Sequence, residues 1–451
     1  MAERYDVVVA GAGSAGATAA YFLARGGLKV ALLDMKPREG VGDKVCGDAI
    51  DVRHFDRVGL PHPTGPEVEG KFHGVKVFAP NERDSILVEG EGYALNRYHF
   101  GQRLLSMAEQ AGAEFFGEHH AFEPLVEGSD VVGVKVRDLR GKRVFEIRSS
   151  VVIDATGATA TLRSKLPEGW WISYRVPKED LIAAYRGEIE VEEVPERERG
   201  YAVIYLNVEI APGGYWWSFH KGGNSINLGL GVQAIPGNPN PRRVYEEVLE
   251  PRYRVSRRLH VGGGVVPTRR TVPCMAWNGF LAIGDAICAA NPIHGGGIGP
   301  SMLGAKAASE AILEASERDD FSMAGLWGYH KRYHELYGAK QAGLDVLRLY
   351  LQRLTNDDLD FIISSGVVSG RDIYDIGAKG RLASDIVRRV SSGLKLLRRP
   401  SVLRQLVRVK EYMDRAVELY SNFPDSPEGF ERWYAEERAF FNEVQEWMKG
   451  I

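Results

Sequence analysis

The 451 residues predict an α/β fold in which a Rossmann-type framework carries an inserted antiparallel β-sheet and is followed by a helical region. Three observations support this prediction. Residues 5–34 have the pattern of a buried strand, a glycine-rich turn, a helix and a second buried strand. Residues 182–232 alternate apolar and polar side chains, as half-buried strands do. From about residue 325 onward the periodicity is helical and strand signals are few.

The first unit along the chain is a βαβ motif. The apolar run Val7–Ala10 stops at a glycine, which is typical of a strand buried on both faces of a parallel sheet. Ser14–Arg25 carries alanine and tyrosine at helical spacing, and Lys29–Asp34 is again a largely apolar strand. Two such strands joined by a helix indicate a parallel pair with a crossover connection.

The other framework elements flank the alternating segment. They are short strands and two helices, which the sequence places at 74–95, 97–109 (helix), 114–116, 131–136, 151–155, 280–285 and from about 300 (helix). Because the framework pattern resumes after residue 232, we expect the antiparallel sheet to be an insertion.

Composition and charge exclude several classes of protein. Glycine, at 52 residues, is well above the roughly 7% average, which favours close approach of backbone to a ligand. Three cysteines without a Cys-x-x-Cys pair argue against a disulfide framework or a zinc site. The net charge of −3 gives no reason to expect a nucleic-acid partner. No signal peptide or spanning segment is evident, so we expect a cytoplasmic protein whose membrane contact is at most peripheral.

One segment departs from the neutral average. Residues 379–410 contain ten lysines and arginines against a single acid, Asp385, interleaved with apolar positions. A basic amphipathic helix of this kind can lie at the inner face of an anionic membrane. Gly380, Gly393 and Pro400 interrupt the segment, and a solvated basic face fits it equally well.

A phosphate cradle lies between the first strand and the first helix. Gly11 suits a tight turn, Gly13 allows a pyrophosphate to touch the backbone, and Gly16 permits close helix packing. The N-terminus of the helix offers free N–H groups and partial positive charge. Asp34, at the end of the second strand, is placed to accept hydrogen bonds from a ribose. The motif in this context predicts dinucleotide binding, and both FAD and NAD fit it.

Two later motifs favour FAD. Gly284-Asp285 ends a buried strand and resembles the Gly-Asp motif of the p-hydroxybenzoate hydroxylase superfamily of flavoproteins, in which the aspartate binds ribityl hydroxyls. Asp154-Ala155-Thr156-Gly157 with Arg163 resembles the third element of that fold, which lies beside the cofactor. Three motifs in the right order are far more specific than one.

A glycine-rich turn precedes the helix that starts near Pro300. Its glycines, which include Gly296 and Gly297, would let backbone N–H groups face the pyrimidine edge of the flavin, and the helix dipole would favour the anionic reduced flavin. His294 in the same turn is either a catalytic acid or a structural hydrogen-bonding residue.

Two further segments resemble the geranylgeranyl reductase family. Val45-Cys46-Gly47-Asp48, with His54 following, matches a Cys-Gly-Asp/Glu segment that lies near the flavin in that family. Tyr215-Trp216-Trp217-Ser218-Phe219-His220, followed by Gly229-Leu230-Gly231, is similar to its Tyr-x-Trp-x-Phe-Pro and Gly-x-Gly stretch, with His220 in place of the proline. The resemblance covers nearly the whole chain and is closest to archaeal members that saturate the isoprenoid chains of ether lipids.

The resemblance implies a set of site residues. FAD contacts are implied at Ala15, Asp34, Cys46, Gly47, Asp48, Arg103, Ala121, Asp285, Gly297 and Ile298, and the glycine motifs add Gly11, Gly13, Gly16 and Gly296. Substrate contacts are implied at His54, Tyr215, Trp217, Phe219, Gly229 and Gly231, and catalytic roles at Cys46, Asp48 and His294. Arg103 could also offer a bidentate fork to the pyrophosphate.

The strand and helix patterns also divide the chain. The FAD-binding domain would comprise 1–73, 96–180 and 262–325, and the substrate-binding β-sheet domain 74–95 and 181–261. A C-terminal helical domain would span 326–451.

The implied reaction is reduction of isolated double bonds in a long-chain prenyl lipid. Such alkenes are electron-rich, so a proton has to reach the less substituted carbon while a hydride reaches the tertiary, cation-like carbon. Tyr215, Trp217 and Phe219 alternate along a strand and therefore share one face, where they would line an apolar pocket and stabilise positive charge. Cys46 is the candidate for delivering the proton through its thiol or a bound water, with Asp48 orienting that water.

Other interpretations stay open at this point. A flavin monooxygenase or halogenase would use the same framework, although the Trp-x-Trp-x-Ile-Pro signature of halogenases is absent. A non-catalytic prenyl-binding escort protein would need no flavin. The electron donor is also undetermined: ferredoxin and NAD(P)H are both compatible with the sequence.

Overall fold

The computed structural model describes residues 4–366, 368–383 and 400–451. Two eight-stranded sheets organise these residues, with helices around them. The α/β fold with an antiparallel sheet and a helical C-terminal region is confirmed.

The first sheet is mainly parallel. Its strands are β1 (Arg4–Ala10), β2 (Val30–Leu33), β6 (Glu114–Phe116), β7 (His119–Glu127), β8 (Asp130–Asp138), β9 (Val144–Asp154), β15 (Ala276–Trp277) and β16 (Phe280–Ala282). The order is β15-β16-β9-β1-β2-β6, and β8 joins the outer part of β9 to β7 in antiparallel fashion. Val7 pairs with Val30 and Val151 in parallel register, and all three side chains are fully buried. The predicted βαβ unit is therefore present.

The second sheet is mainly antiparallel. Its strands are β3 (Ala49–Asp51), β4 (Val68–Phe78), β5 (Ser85–Leu95), β10 (Leu181–Val191), β11 (Ala202–Tyr205), β12 (Tyr215–Gly222), β13 (Ser225–Gln233) and β14 (Val255–Pro267), in the order β14-β10-β13-β12-β11-β4-β5-β3. Strands β4 and β14 cross the predicted boundaries at 73/74 and 261/262. The glycine-rich parts of both strands lack the periodic apolar signal on which the boundaries were placed.

Helices cover the framework and form most of the C-terminal region. They are α1 (Ser14–Arg25), α2 (Arg53–Val58), α3 (Arg97–Gln110), α4 (Pro241–Val244), α5 (Ile298–Glu317), α6 (Met323–Leu326), α7 (Gly328–Tyr333), α8 (Ala339–Leu351), α9 (Asn356–Ser364), α10 (Gly370–Lys379), α11 (Pro400–Ser421) and α12 (Phe430–Met448). α1 packs on α5 through small side chains such as Ala19 and Ala308, both fully buried. α8, α11 and α12 share one apolar core with the first sheet.

Buried ion pairs join the C-terminal helices to the chain that follows β14. Arg270 lies 3.0 Å from Asp345 of α8 and 2.6 Å from Glu437 of α12. Arg269 and Arg348 both contact Asp180, at 2.9 and 2.8 Å. Charges that are nearly excluded from water need such partners, so these contacts fix the position of the helices.

The basic segment 379–410 falls partly outside the described residues, which omit 384–399. α10 ends at Lys379, where Gly380 adopts a left-handed conformation (φ +68°). Arg381 and Lys410 both pair with Asp414, at 3.2 and 2.5 Å. No helix among the described residues is long and apolar enough to cross a membrane. Peripheral contact through this segment stays a prediction.

Candidate functional site

A cavity of about 1540 Å³ lies between the two sheets. The framework contributes the glycine-rich turn after β1 and the segment after β16, and the second sheet contributes the face formed by β4, β10 and β12. Pockets for a single small ligand usually measure about 300–1,000 Å³. This cavity therefore has room for a dinucleotide and a second, elongated molecule.

The three glycines of the cradle have different roles. A Cβ at Gly11 (φ +103°) would come within 2.5 Å of the Ala155 carbonyl oxygen, and a Cβ at Gly16 would overlap the carbonyl of Gly11. These two glycines allow tight backbone packing. A Cβ at Gly13 would meet no protein atom within 4 Å, because it would point into the open cavity. Gly13 therefore leaves the space that a pyrophosphate needs at the start of α1.

Asp34 closes the cradle at the end of β2. Its Oδ2 accepts a hydrogen bond from the Ala12 N–H at 2.7 Å, and its Oδ1 accepts one from the Lys36 N–H at 2.8 Å. These bonds hold the carboxylate at the cavity wall, and each oxygen keeps a second lone pair. The position suits the predicted hydrogen bonds to ribose hydroxyls.

Asp285 is the feature that best fits a flavin dinucleotide. Its Oδ1 is buried and has no hydrogen-bond partner among the described residues. Burial raises the pKa of the carboxyl, although Lys44 and Arg97 oppose the shift. A buried acceptor without a partner is costly, and a ligand hydroxyl such as those of a ribityl chain would satisfy it. Ala15, Ala121, Gly296, Gly297 and Ile298 line the same cavity.

Replacing this carboxylate should weaken FAD binding. We expect Asp285→Ala to raise the Kd for FAD about 10- to 100-fold, since charge-assisted hydrogen bonds contribute about 1.5–3 kcal/mol. Fluorescence titration of the apoprotein with FAD measures the change. Asp285→Asn keeps a carbonyl acceptor and serves as the milder control. An unchanged Kd in Asp285→Ala would contradict the assignment.

Arg103 does not reach the cavity, in contrast to the predicted pyrophosphate contact. Its guanidinium lies 2.8 Å from Glu67 and donates a hydrogen bond to the Pro61 carbonyl at 2.9 Å. Arg97 lines the cavity instead and donates to Ser14 Oγ at 3.1 Å. Six residues along a helix turn a side chain by about 240°, so these two arginines of α3 point to different faces.

The aromatic residues of β12 form one wall. Tyr215, Trp217 and Phe219 all line the cavity, and successive ring centroids are 5.9 Å apart. Gly231 also lines it. Gly229 lies behind Trp217 rather than on the wall: a Cβ there would come within 2.5 Å of the indole ring. Gly231 therefore borders the site, whereas Gly229 makes room for the Trp217 ring.

Cys46 lies where the framework meets the aromatic wall. The residue is half-buried and lines the cavity. A Cβ at Gly47 would stand 3.2 Å from the Phe219 ring, so the Cys46 loop passes directly over the wall. The Asp48 N–H donates to Cys46 Sγ at 3.4 Å. Burial, with a contribution from Cys46, raises the pKa of Tyr215, so its neutral hydroxyl is another polar group close to the thiol.

Asn227 connects the loop to the wall, and the sequence analysis missed it. Its side-chain amide donates to the Cys46 carbonyl at 2.7 Å and to Asp48 Oδ2 at 2.8 Å, and it accepts from the Trp217 indole N–H at 3.0 Å. The sequence does contain a signal for Asn227, because it is a polar side chain within the otherwise apolar, buried run Ile226–Val232.

Asp48 anchors the Cys46 loop. It also lines the cavity, and its Oδ1 has no hydrogen-bond partner among the described residues, so its role in orienting water stays a prediction. It is buried, has a left-handed backbone (φ +63°) and lies 3.0 Å from Lys221 Nζ. Glu69 and Glu188 lie within 2.6 and 3.2 Å of the same ammonium group. Burial lowers the pKa of Lys221, but the three carboxylates outweigh it and the net shift is upward. The cation is therefore retained and fixes the loop.

The two site histidines are uncharged at neutral pH. Burial lowers the pKa of His294 and of His54 to about 4, and Lys340 adds to the shift in both. The His294 carbonyl accepts a hydrogen bond from the Tyr215 hydroxyl at 2.6 Å. The His54 ring occupies the space beside Gly299, at the start of α5, and its Nδ1 has no partner among the described residues. Neutral imidazoles favour positioning roles over acid catalysis.

His220, which replaces a proline of the expected motif, ties two loops together. Its Nδ1 accepts from the Gly200 N–H at 3.0 Å, and its Nε2 lies 3.0 Å from the Gly223 carbonyl oxygen. His220, which stands where the family motif has proline, thus holds the end of β12 against these loops, and the aromatic wall keeps its position.

Comparison with known proteins agrees with this geometry. A family model described as the geranylgeranyl reductase catalytic domain matches residues 180–266, and a Thi4 family model matches residues 2–52. A digeranylgeranylglycerophospholipid reductase from Sulfolobus acidocaldarius is 40% identical over 99% of both chains. Another, from Methanothrix thermoacetophila, is 31% identical over 84% of this chain and 95% of its own.

Solved structures show the same fold. A geranylgeranyl bacteriochlorophyll reductase-like protein from Thermoplasma acidophilum superposes with a TM-score of 0.75 at 24% identity, covering 90% of this chain and 99% of that one. The myxobacterial FAD-dependent chondrochloren halogenase superposes with a TM-score of 0.61 at 17% identity, over 88% and 97%. With a 40% identical relative matched from end to end, the chain belongs to the digeranylgeranylglycerophospholipid reductase family.

Proposed function

We propose that this protein is an FAD-dependent reductase that saturates isolated double bonds in the geranylgeranyl chains of archaeal-type phospholipids. The observation that carries the proposal is the continuity of one cavity. It joins the cradle at Gly13 and the unpartnered carboxylate of Asp285 to the aromatic wall of Trp217 and the thiol of Cys46. The names of the family members support the same substrate class.

The framework residues would hold FAD. The glycine cradle and the N-terminus of α1 suit the pyrophosphate, Asp34 the ribose and Asp285 the ribityl chain. When bound and reduced, FAD supplies the hydride for the reaction. Ile298 and Gly299 begin α5 and line the cavity, so the positive end of the helix dipole would favour negative charge there.

The wall of β12 would bind and orient the prenyl chain. Burial of each methylene contributes roughly 0.8 kcal/mol, so an extended apolar slot can hold a long chain without specific polar contacts. Trp217 has its indole N–H tied to Asn227, which fixes the plane of the ring. A fixed aromatic face can stabilise positive charge that develops on the alkene by about 0.5–2 kcal/mol.

Cys46 is the proton source in this proposal. Asp48 is paired with Lys221, both site histidines are neutral, and the Tyr215 hydroxyl donates a hydrogen bond to the His294 carbonyl, so we take the half-buried thiol beside the wall as the donor. The Asp48 N–H would stabilise the sulfur as its proton leaves. Water can then restore the proton, because the thiol is only half-buried.

The experiment that tests the proposal is anaerobic incubation of dithionite-reduced protein with a digeranylgeranyl phospholipid, followed by mass spectrometry. We expect a mass gain of one H₂ for each saturated bond. An unchanged lipid would contradict the proposal. Oxygen-dependent product would indicate a monooxygenase or halogenase, and a colourless protein without flavin absorption would indicate a prenyl-binding escort.

Removing the thiol should abolish most of the activity without affecting the cofactor. We expect Cys46→Ala to lower the rate of lipid reduction about 10²- to 10⁴-fold, as is typical when a general acid is lost, with normal flavin absorption. Cys274→Ala, which removes a fully buried thiol from the core, is the matched control. Equal rates for Cys46→Ala and the control would exclude Cys46 as proton donor.

A further inference from the structure

Three cationic side chains of the cavity lining lie close to one another. Arg53 and Arg57 are four residues apart on α2 and therefore share a face, and Lys340 lies at the start of α8. All three line the cavity. We call Arg53, Arg57 and Lys340 the cationic cluster.

The cluster carries more positive than negative charge. Arg53 is paired with Asp51, to which its Nε donates at 2.9 Å, and with the Tyr374 hydroxyl. Neither Arg57 nor Lys340 takes part in an ion pair among the described residues; they donate instead to the carbonyls of Leu336 (2.6 Å) and Gly377 (3.2 Å).

The like charges of the cluster repel one another. Burial lowers the pKa of Lys340 to about 8, and Arg57 and Arg53 add to the shift. Burial and Arg53 likewise lower the pKa of Arg57. A bound anion would relieve this repulsion and offset the cost of burial. The unpartnered Nδ1 of His54 lies in the same part of the cavity and offers one more hydrogen-bonding atom.

The position of the cluster suits the polar end of a lipid. Arg53 and Arg57 are exposed, whereas the aromatic wall of β12 is largely buried. A ligand that spans the cavity would therefore keep one charged end near water and place its apolar part against Trp217. Arginine and lysine bind phosphate through charge-assisted hydrogen bonds, and phosphate is the anionic group of a phospholipid.

We infer that the cationic cluster binds the phosphate group of the lipid substrate and selects phosphorylated over neutral prenyl lipids. This inference rests on the proposed function and assigns the headgroup end of the cavity. The phosphate would lie between Arg57 and Lys340, while Asp51 and Tyr374 hold Arg53 at the edge of the site.

Two lipids that differ only in the phosphate test the inference: digeranylgeranylglyceryl phosphate and digeranylgeranylglycerol, both in neutral detergent micelles. Perturbation of the oxidised flavin spectrum gives a Kd for each without turnover. We expect the wild-type protein to bind the phosphorylated lipid at least about tenfold more tightly. Lys340→Met and Arg57→Gln should each reduce this preference about tenfold and leave the Kd of the neutral lipid within about twofold.

Two further variants serve as controls for charge and for position. Lys340→Arg retains the charge and should retain the preference. Lys331→Met removes an exposed lysine that pairs with Asp425 and does not line the cavity, and it should change neither Kd. Inorganic phosphate shows whether the cluster recognises the anion by itself. If millimolar phosphate competes with the phosphorylated lipid, the cluster binds free phosphate. If phosphate does not compete and the preference for the phosphorylated lipid is intact, the cluster binds the anion only when the lipid chains are attached.

Equal affinity of the wild-type protein for the two lipids, or an unchanged preference in both Lys340→Met and Arg57→Gln, would overturn the inference. Failure to reduce either lipid would instead overturn the proposed function, since binding is measured separately from turnover.

Discussion

Gly13→Val is expected to yield a folded protein that carries no FAD. The backbone at Gly13 is extended (φ −70°, ψ −175°), which a β-branched residue adopts readily, and no protein atom stands within 4 Å of a Cβ there. The valine methyls would occupy the space at the N-terminus of α1 where the pyrophosphate has to lie. We expect the Kd for FAD to rise about 100-fold or more, which corresponds to about 2.8 kcal/mol.

Gly16→Ala provides the contrast, because its Cβ would overlap the Gly11 carbonyl inside the protein. We expect that variant to be destabilised by about 1–3 kcal/mol, as overpacked sites are. Flavin absorption of the purified proteins and urea unfolding of the apoproteins separate the two effects. A yellow Gly13→Val protein, or a Gly16→Ala protein as stable as wild type, would contradict the roles assigned to these glycines.

Asp345→Ala is expected to destabilise the protein by about 3–5 kcal/mol, the cost typical of leaving buried cations without a partner. The fully buried carboxylate of Asp345 contacts Arg270 at 3.0 Å and Arg348 at 2.8 Å. Asp425→Ala is the control, since Asp425 forms an exposed pair with Lys331, and such pairs contribute at most about 1 kcal/mol. Urea unfolding at pH 7 measures both. A loss below 1 kcal/mol in Asp345→Ala would show that the network is dispensable.

The same carboxylate predicts how stability depends on pH. Burial raises the pKa of Asp345, but Arg348, Arg270 and Arg269 outweigh it, so the folded-state pKa lies below the ordinary value of about 3.9. Its contribution is therefore present above pH 4 and is lost as the pH falls through the folded-state pKa. We expect the difference in unfolding free energy between wild type and Asp345→Ala to shrink below pH 4. A constant difference down to pH 3 would contradict this linkage.

Local patterns were enough to predict the framework. The strand at Val7–Ala10, the glycine turn and helix α1 follow from burial and backbone geometry that a short window already specifies. The shared face of Tyr215, Trp217 and Phe219 follows from the two-residue period of a strand. Asp285 could be singled out because Gly284-Asp285 ends a buried strand.

Features that depend on how elements distant in sequence pack against each other could not be predicted from local patterns. Arg97 and Arg103 are equivalent in sequence, and only the rotation of α3 decides which of them reaches the cavity. The pairing of Asp48 with Lys221 could not be predicted either, because the two residues are 173 positions apart and meet only in the folded structure. Gly229 was assigned to the pocket by its motif, but its small size serves the Trp217 ring behind the wall.

The buried pair of Arg270 and Glu437 joins residues that are synthesised at very different times. The two residues are 167 positions apart, so the guanidinium emerges from the ribosome long before its counter-ion is translated. Asp345 follows Arg270 by 75 positions and becomes available first, so only the second of its two carboxylate partners has to wait for α12. We therefore expect Arg270 to reach its fully paired, buried state only when almost the entire polypeptide has been synthesised.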